Sequence, residues 1–217
     1  MLEVYHYMQI TNQNNRINFT STPLHFVNLR NADNTFTKAV FSRLGPEDIK
    51  VVEELKDSWA VPHGLMKDFY TDFLRQSADN EFHAIELIEE GSLAKKIIGV
   101  VFSSIDRYGK ENYVNMESLV TKPELAAANK KRSLKGIGEV LLGEAFNLAK
   151  KANASDFSFT SAAYTFYKKT FKDAGIEIRR FQNYDPYNDR YCLHKDTFDK
   201  YINYCQDKYK TNFSATI

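Results

Sequence analysis

At 217 residues the chain is sized for one large domain, or one domain with appendages, at roughly 100–200 residues per domain. Its 29 Lys+Arg against 28 Asp+Glu leave a formal charge of +1, which excludes binding to nucleic acid by bulk charge and excludes an acidic solvating tail. With 43% hydrophobic and 26% charged residues the composition is globular, so disorder of the whole chain is excluded too.

Residues 1–35 are rich in Asn, Thr and Ser, and only residues 4–10 alternate like a strand, so an N-terminal extension is expected here. A strand is predicted over residues 36–44. Gly45-Pro46-Glu47-Asp48 then starts a helix, with Pro in the first turn and two acids at the positive end of the dipole. Ile49, Val52, Leu55 and Trp59 follow at helical spacing. Val61-Pro62-His63-Gly64 breaks that helix, and Leu65, Met66, Phe69, Tyr70, Phe73 and Leu74 make the stripe of a second. Strands over 82–88 and 96–105 join through Glu89-Glu90-Gly91-Ser92, and a turn at 106–110 leads into a third over 113–121. After Pro123 a polar, basic loop reaches Gly136-Ile137-Gly138. There a helix opens with Leu141, Ala145, Leu148, Ala149 and Ala152 on one face and Lys150-Lys151 at its negative end. Residues 157–160 read as a strand, 163–174 as a helix closed by Gly175, and 176–181 and 191–194 as late strands. Residues 196–209 form a last amphipathic helix, with Phe198, Ile202, Cys205 and Tyr209 on one side and Asp196 as its cap.

An antiparallel meander followed by a β-α-β unit predicts an α/β (α+β) fold: a mixed, mostly antiparallel central sheet with helices on both faces. Strand direction switches near residues 113–121, and ligands favour such switch points. The expected divisions are an extension over 1–35, a main domain over 36–195, and a C-terminal helix and tail over 196–217. Cys192 and Cys205 are too few for a disulfide framework and lack zinc spacing, so a reducing cytoplasm is expected. The longest apolar run, residues 97–102, is far shorter than the roughly 18 residues of a spanning helix. The first six residues carry neither the basic region nor the apolar core of a secretory signal, which agrees with a cytoplasmic protein and no membrane partner. No pair among His6, His25, His63, His83 and His194 has helical metal-ligand spacing, so no metal is expected.

Gly136-Ile137-Gly138 lies between a strand and a helix, where backbone N–H groups and the helix dipole can converge on an anion; the same glycines could equally form only a tight turn. Gly-x-Gly-x-x-Gly fails because residue 141 is Leu, and no P-loop pattern is present. With its surroundings, the region resembles the GNAT superfamily of N-acetyltransferases. Leu119-Val120-Thr121-Lys122-Pro123 is similar to the family's strand ending in a Val-x-Pro-like element, and Ser133-Leu134-Lys135-Gly136-Ile137-Gly138 to its Arg/Gln-x-x-Gly-x-Gly/Ala signature. Ala163-Tyr164-Thr165-Phe166-Tyr167 resembles the Ala-x-x-Phe-Tyr segment that precedes a Gly-aliphatic pair, here Gly175-Ile176. Ser133 departs from the usual Arg or Gln, and the loop before Gly136 is about seven residues longer than the common spacing.

The resemblance, which spans about residues 36–195, implies transfer of acetyl from acetyl-CoA to a primary amine by direct attack. The donor site it implies comprises Leu119, Val120, Thr121, Arg132, Ser133, Leu134, Lys135, Gly136, Ile137, Gly138 and Glu139, with Lys130 and Lys131 adding charge. Glu117 is the candidate base, with Glu86 a second, and Tyr167 is the candidate acid; each has a packing or solvated alternative. The acceptor side falls on the first two helices, with Trp59, His63, Met66, Phe69 and Tyr70. A small-molecule or protein amine is the expected partner of a monomer or homodimer. Other readings are a catalytically weak acyl-CoA sensor or interaction module, or an enzyme that takes its acyl group from an acyl carrier protein docked on the basic loop.

Overall fold

The structure, a computed structural model, describes residues 21–61, 64–88, 95–126, 129–160, 163–180 and 190–213. In chain order the elements are β1 (Thr22–Asn31), β2 (Phe36–Arg43), α1 (Ile49–Ser58), α2 (Leu65–Leu74), β3 (Asn80–Ile88), β4 (Lys95–Tyr108) and β5 (Glu111–Thr121). There follow β6 (Leu134–Lys135), α3 (Ile137–Lys151), β7 (Ala154–Thr160), α4 (Tyr164–Asp173), β8 (Arg179–Arg180), β9 (Arg190–His194) and α5 (Phe198–Tyr209). The strands form one sheet in the order β6-β1-β2-β3-β4-β5-β7-β9-β8. Among the described residues only β5 and β7 pair in parallel. The direction switch expected near residues 113–121 is therefore present, on β5.

Two cores divide the helices between the faces. On one side α1 and α2 press Val52, Trp59, Met66, Phe69 and Phe73 onto β3, β4 and β5. There Phe82 takes Phe69 and Phe73 edge-on, with ring centroids at 5.5 and 5.1 Å, and stacks on Phe102 at 4.3 Å. On the other side lie α3, α4 and α5. Helix α3 sits close to the sheet because Gly99 of β4 has no side chain: a β-carbon there would be 2.6 Å from Ile137 Cγ2 and 2.9 Å from Leu141 Cδ1.

Both expected appendages are built into the fold. The stretch read as an N-terminal extension supplies β1, which pairs with β2 and buries Val27 and Leu29 completely; the alternating residues 4–10 lie outside the described residues. The last helix covers α3: Phe198, Ile202, Cys205 and Tyr209 are all buried as their spacing predicts, and the fully buried Tyr201 lies against Phe146 and Phe171. Its N-cap is Thr197 rather than Asp196, after a short 3-10 turn over Lys195–Thr197. The turn expected over residues 106–110 is also tighter than expected, since β4 runs on to Tyr108 and only Gly109 and Lys110 separate it from β5. Of the late strand predicted over 176–181, only residues 179 and 180 are strand, and residue 181 lies outside the described residues.

A buried polar pair ties β1 to α3. The His25 ring bonds the Glu144 carboxylate within the core, and both His25 and His83 lie against Phe41. Burial pushes the pKa of His83 from 6.5 down to about 3, although a Glu81 carboxylate oxygen is 3.6 Å away. The unfolded chain therefore takes up a proton below pH 6.5 that the folded chain refuses, so stability is full above that pH and falls as the pH drops toward 3. Urea unfolding between neutral and acid pH should show this decline, and His83→Phe should flatten it. Gly99→Ala should cost roughly 1–3 kcal/mol by the same assay, through overpacking against α3.

Candidate active site

The site begins with one extra residue in β5. Ser118 pairs with Phe102 of β4 and Met116 with the next residue, Ser103, so Glu117 is the additional residue of a β-bulge. The bulge reverses the alternation of the strand. Before it, Val114 and Met116 face the core under α3; after it, Val120 faces the core under α1 and α2, while Leu119 packs toward α3. Glu117 thus shares a face with Tyr113 and Asn115 as the period of two predicts, but Leu119 and Thr121 are turned to the opposite face.

Pairing with β7 ends at the same place. The parallel ladder runs from Asn112↔Ala154 to Met116↔Phe159, and residues 118–121 pair with β4 alone among the described residues. Past Met116 no strand among the described residues pairs with that side of β5, which leaves one backbone edge of β5 available to an added extended segment.

At the far end of this opening stands the N-terminus of α3. Gly136, the N-cap, has φ +94, a left-handed conformation that suits glycine, and no side chain caps the first turn. Both Gly136 and Gly138 are part-exposed, so the first-turn amides can receive an anion. Each glycine also meets a ring. A β-carbon on Gly136 would lie 2.2 Å from Tyr209 Cε1, and one on Gly138 would lie 3.1 Å from Phe166 Cζ and 3.7 Å from Leu119 Cδ2.

Other donor-site residues spread around this point. Lys130, Lys131 and Ser133 are exposed, Arg132 and Lys135 are half-buried, and Leu134 and Ile137 belong to the core. Leu134 and Lys135 form β6 against Asn31 and Arg30 of β1. The Glu139 carboxylate is engaged within the protein: Lys208 donates to it at 2.7 Å, Tyr204 and Thr170 at 3.4 Å, and the Tyr209 hydroxyl more closely still. Its side chain therefore fastens α5, and only its backbone N–H faces the first-turn opening. Val120 is buried under α1 and α2.

The Glu117 carboxyl accepts a hydrogen bond from Ser104 Oγ at 3.0 Å. Its pKa is raised, chiefly by the protein atoms that displace water around it; Ser104 and Arg190 oppose the shift, and Asp106 and Asp72 add to it. Glu86, by contrast, is fully buried on β3, where Ser21 and Ser42 donate to its oxygens at 2.6 and 2.9 Å. Tyr167 is buried beside Phe159 and Phe166, with centroids at 4.6 and 5.0 Å, and burial pushes its phenol pKa up.

On the acceptor side, the helical stripe serves packing. Trp59, Met66 and Phe69 are all buried in the core under α1 and α2, because the periodicity that singled them out is that of a core-facing surface. Tyr70 is half-buried, donates to Glu53 at 3.3 Å and lies under the Lys56 ammonium. His63 lies outside the described residues. Arg190, which the sequence places just before the strand predicted over 191–194, is in the structure the first residue of β9, and its Nη2 donates to Asn115 Oδ1 at 2.6 Å.

No protein-family model and no curated protein matches the chain. Solved structures do match its fold. The GNAT domain of S. lividans PAT superposes with a TM-score of 0.52 at 16% identity, over 79% of this chain and 96% of that one. The fold is GNAT. AtaTR bound with acetyl-CoA gives 0.53 at 11% identity, over 74% of this chain and 96% of that one. An Aedes aegypti protein described as arylalkylamine N-acetyltransferase 7 gives 0.53 at 11% identity, over 86% of this chain and all of that one. Within this GNAT fold, β1 and α5 lie outside the main domain expected from sequence, and both pack against α3.

Because Ser104 lowers the Glu117 pKa, Ser104→Ala should raise it further. Carboxyl-carbon NMR titration of Glu117 would read the shift, and a downward movement would contradict the assigned role of the hydroxyl.

Proposed function

We propose that the protein is an acyl-CoA-dependent N-acyltransferase that moves acetyl from acetyl-CoA to the primary amine of a small molecule or protein. The observation that carries this reading is the bulge at Glu117. It presents a carboxylate of raised pKa on one face and, at the same step, frees a backbone edge that leads to the uncapped N-terminus of α3. An added strand along residues 117–121 and an anion on the first-turn amides describe a molecule with an amide-bearing arm and a diphosphate. The acetyl-CoA of the AtaTR structure supports the choice of donor.

The donor supplies an acyl carbon activated by a thiolate leaving group. The amides around Gly136–Gly138, with Lys135 and Arg132 nearby, hold its diphosphate, and Leu119 lies between that cradle and Glu117. An alkyl amine with a pKa of about 10.4 is almost wholly protonated at neutral pH, so a base must take its proton before it can attack. Glu117 does this, directly or through water, and its raised pKa makes it a stronger base than an ordinary carboxylate. The carbonyl oxygen gains charge as the nitrogen bonds, and a backbone N–H of residues 119–121 is the donor assigned to it. Collapse breaks the carbon–sulfur bond, and Tyr167 is assigned to the thiolate; its raised pKa keeps the phenol protonated and makes it a hydrogen-bond donor before it is an acid.

Thermal unfolding with and without acetyl-CoA is the first test: saturation at about 100 times Kd should add roughly 2.7 kcal/mol. Glu117→Gln should lower kcat about 10²–10⁴-fold with acetyl-CoA affinity retained, and should remove the acid limb of the pH–rate profile, which lies above the ordinary Glu value of 4.5. Tyr167→Phe should cost less. Absence of stabilisation by acetyl-CoA would refute the reading.

A further inference from the structure

Beyond α1 and α2, the face of the sheet that carries Glu117 continues across β5, β7 and β9 as a polar surface. Phe157, Phe159, Tyr191 and Leu193 are buried in the core under α3 and α4, so the alternate residues Ser158 and Arg190 lie on the Glu117 side. Arg190 is exposed and firmly held. Its Nη2 donates to Asn115 Oδ1 at 2.6 Å and to Ser158 Oγ at 2.9 Å, and its Nε donates to Ser158 Oγ at 3.3 Å. Asn115 in turn donates to Asp106 Oδ2 at 2.5 Å, which keeps its amide oxygen toward the guanidinium. The hydrogen-bond partners of Arg190 among the described residues are thus neutral oxygens, so its fork is not taken up by a carboxylate there.

Asn115 precedes Glu117 by two residues on one face, about 6.6–7 Å along the strand. Beside Glu117, on the same side of the bulge, the Ser118 hydroxyl is buried and has no hydrogen-bond partner among the described residues. A buried hydroxyl without a partner is costly unless a ligand completes it. A fixed guanidinium held at Asn115 and a carboxylate two residues along the strand therefore stand on one face of the sheet, with the buried Ser118 hydroxyl next to that carboxylate in the chain.

We infer that Arg190 determines acceptor specificity, and that the acceptor is an amine bearing a carboxylate a few bonds from its nitrogen, as an α- or β-amino acid does. This rests on the acyltransferase reading above. The nitrogen sits at Glu117, and the carboxylate sits on the guanidinium, whose planar fork matches it in shape and charge. Two hydrogen bonds of about 2.8 Å with a short zwitterion between them span the separation the strand imposes. A diamine of similar length would bring its second ammonium against Arg190, so the same residue selects against it. Arg190 also acts on Glu117 through charge, opposing the burial that raises its pKa.

The test compares acetyl transfer to matched pairs: phenylalanine with phenethylamine, ornithine with putrescine, and β-alanine with ethylamine. The carboxylated member should be preferred at least about tenfold in kcat/KM, and Arg190→Gln should erase most of that preference through KM, with Arg190→Lys restoring part of it. As a readout apart from turnover, 3-phenylpropanoate should bind the protein competitively with phenylalanine and not with acetyl-CoA, and Arg190→Gln should abolish its binding in NMR titration. If acetyl-CoA neither stabilises the protein nor is consumed with any amine, the acyltransferase reading falls and this inference with it. If acetyl-CoA binds but carboxylated amines are not preferred, or if the Gln variant keeps the wild-type ratio, this inference alone is overturned.

Discussion

Two strands of a sheet stay in register only while both advance one residue at a time, and at Glu117 β5 breaks that condition against β4. The ladder absorbs the extra residue by bending the strand, and the bulge falls just where the parallel pairing with β7 stops. Three features of the candidate site follow from this one irregularity. Backbone groups of residues 117–121 are left without a strand neighbour on one side among the described residues. Glu117 and Ser118 come to lie on a common face. Leu119 is turned toward α3, where it approaches Gly138. A regular strand would have kept Leu119 on the face of Glu117 and closed the gap with hydrogen bonds.

The second constraint is the manner in which α3 is held. Its N-terminus owes its shape to Gly136 as much through what lies behind it as through what an anion would need in front, because Tyr209 of α5 occupies the volume any side chain would take. Glu139, at the third position of the helix, gathers donors from α4 and α5. A carboxylate next to the first-turn amides would repel an approaching diphosphate if it stood alone. The Lys208 ammonium at 2.7 Å offsets that charge locally, so the positive end of the helix dipole is preserved for a ligand.

The two faces of the sheet then serve different ends. Under α3, α4 and α5 the core is continuous and aromatic, and Tyr167 belongs to it. Under α1 and α2 the core covers β3, β4 and the end of β5; the remainder of that face carries Asn115, Ser158 and Arg190, whose hydrogen bonds run between strands and fix charged groups in place. This division explains why the aromatic stripe of α1 and α2 was a poor guide to an acceptor pocket. A stripe at helical period marks the buried side, whereas the exposed polar face of a half-covered sheet has no period that distinguishes recognition from solvation.

Much of the architecture was legible in the chain because it depends on local chemistry. Gly45-Pro46 opens the 3-10 turn that leads into α1, Gly136 opens α3, Gly175 follows α4, and apolar residues at periods of two and 3.6 mark the strands and helices; each acts over a few residues. The resemblance to GNAT proteins rested on two such local blocks in the right order, and the fold agrees with it. What the tertiary structure alone decided involves residues distant in sequence. The bulge exists only in the register between β4 and β5, Thr22–Asn31 becomes a core strand only when Phe36–Arg43 accepts it, and Tyr209 meets Gly136 only once α5 lies along α3. Arg190, Asn115 and Ser158 come from three strands whose neighbourhood no linear pattern encodes. Pairing across a sheet is a long-range choice, made by the total burial of both faces and not by the residues it brings together.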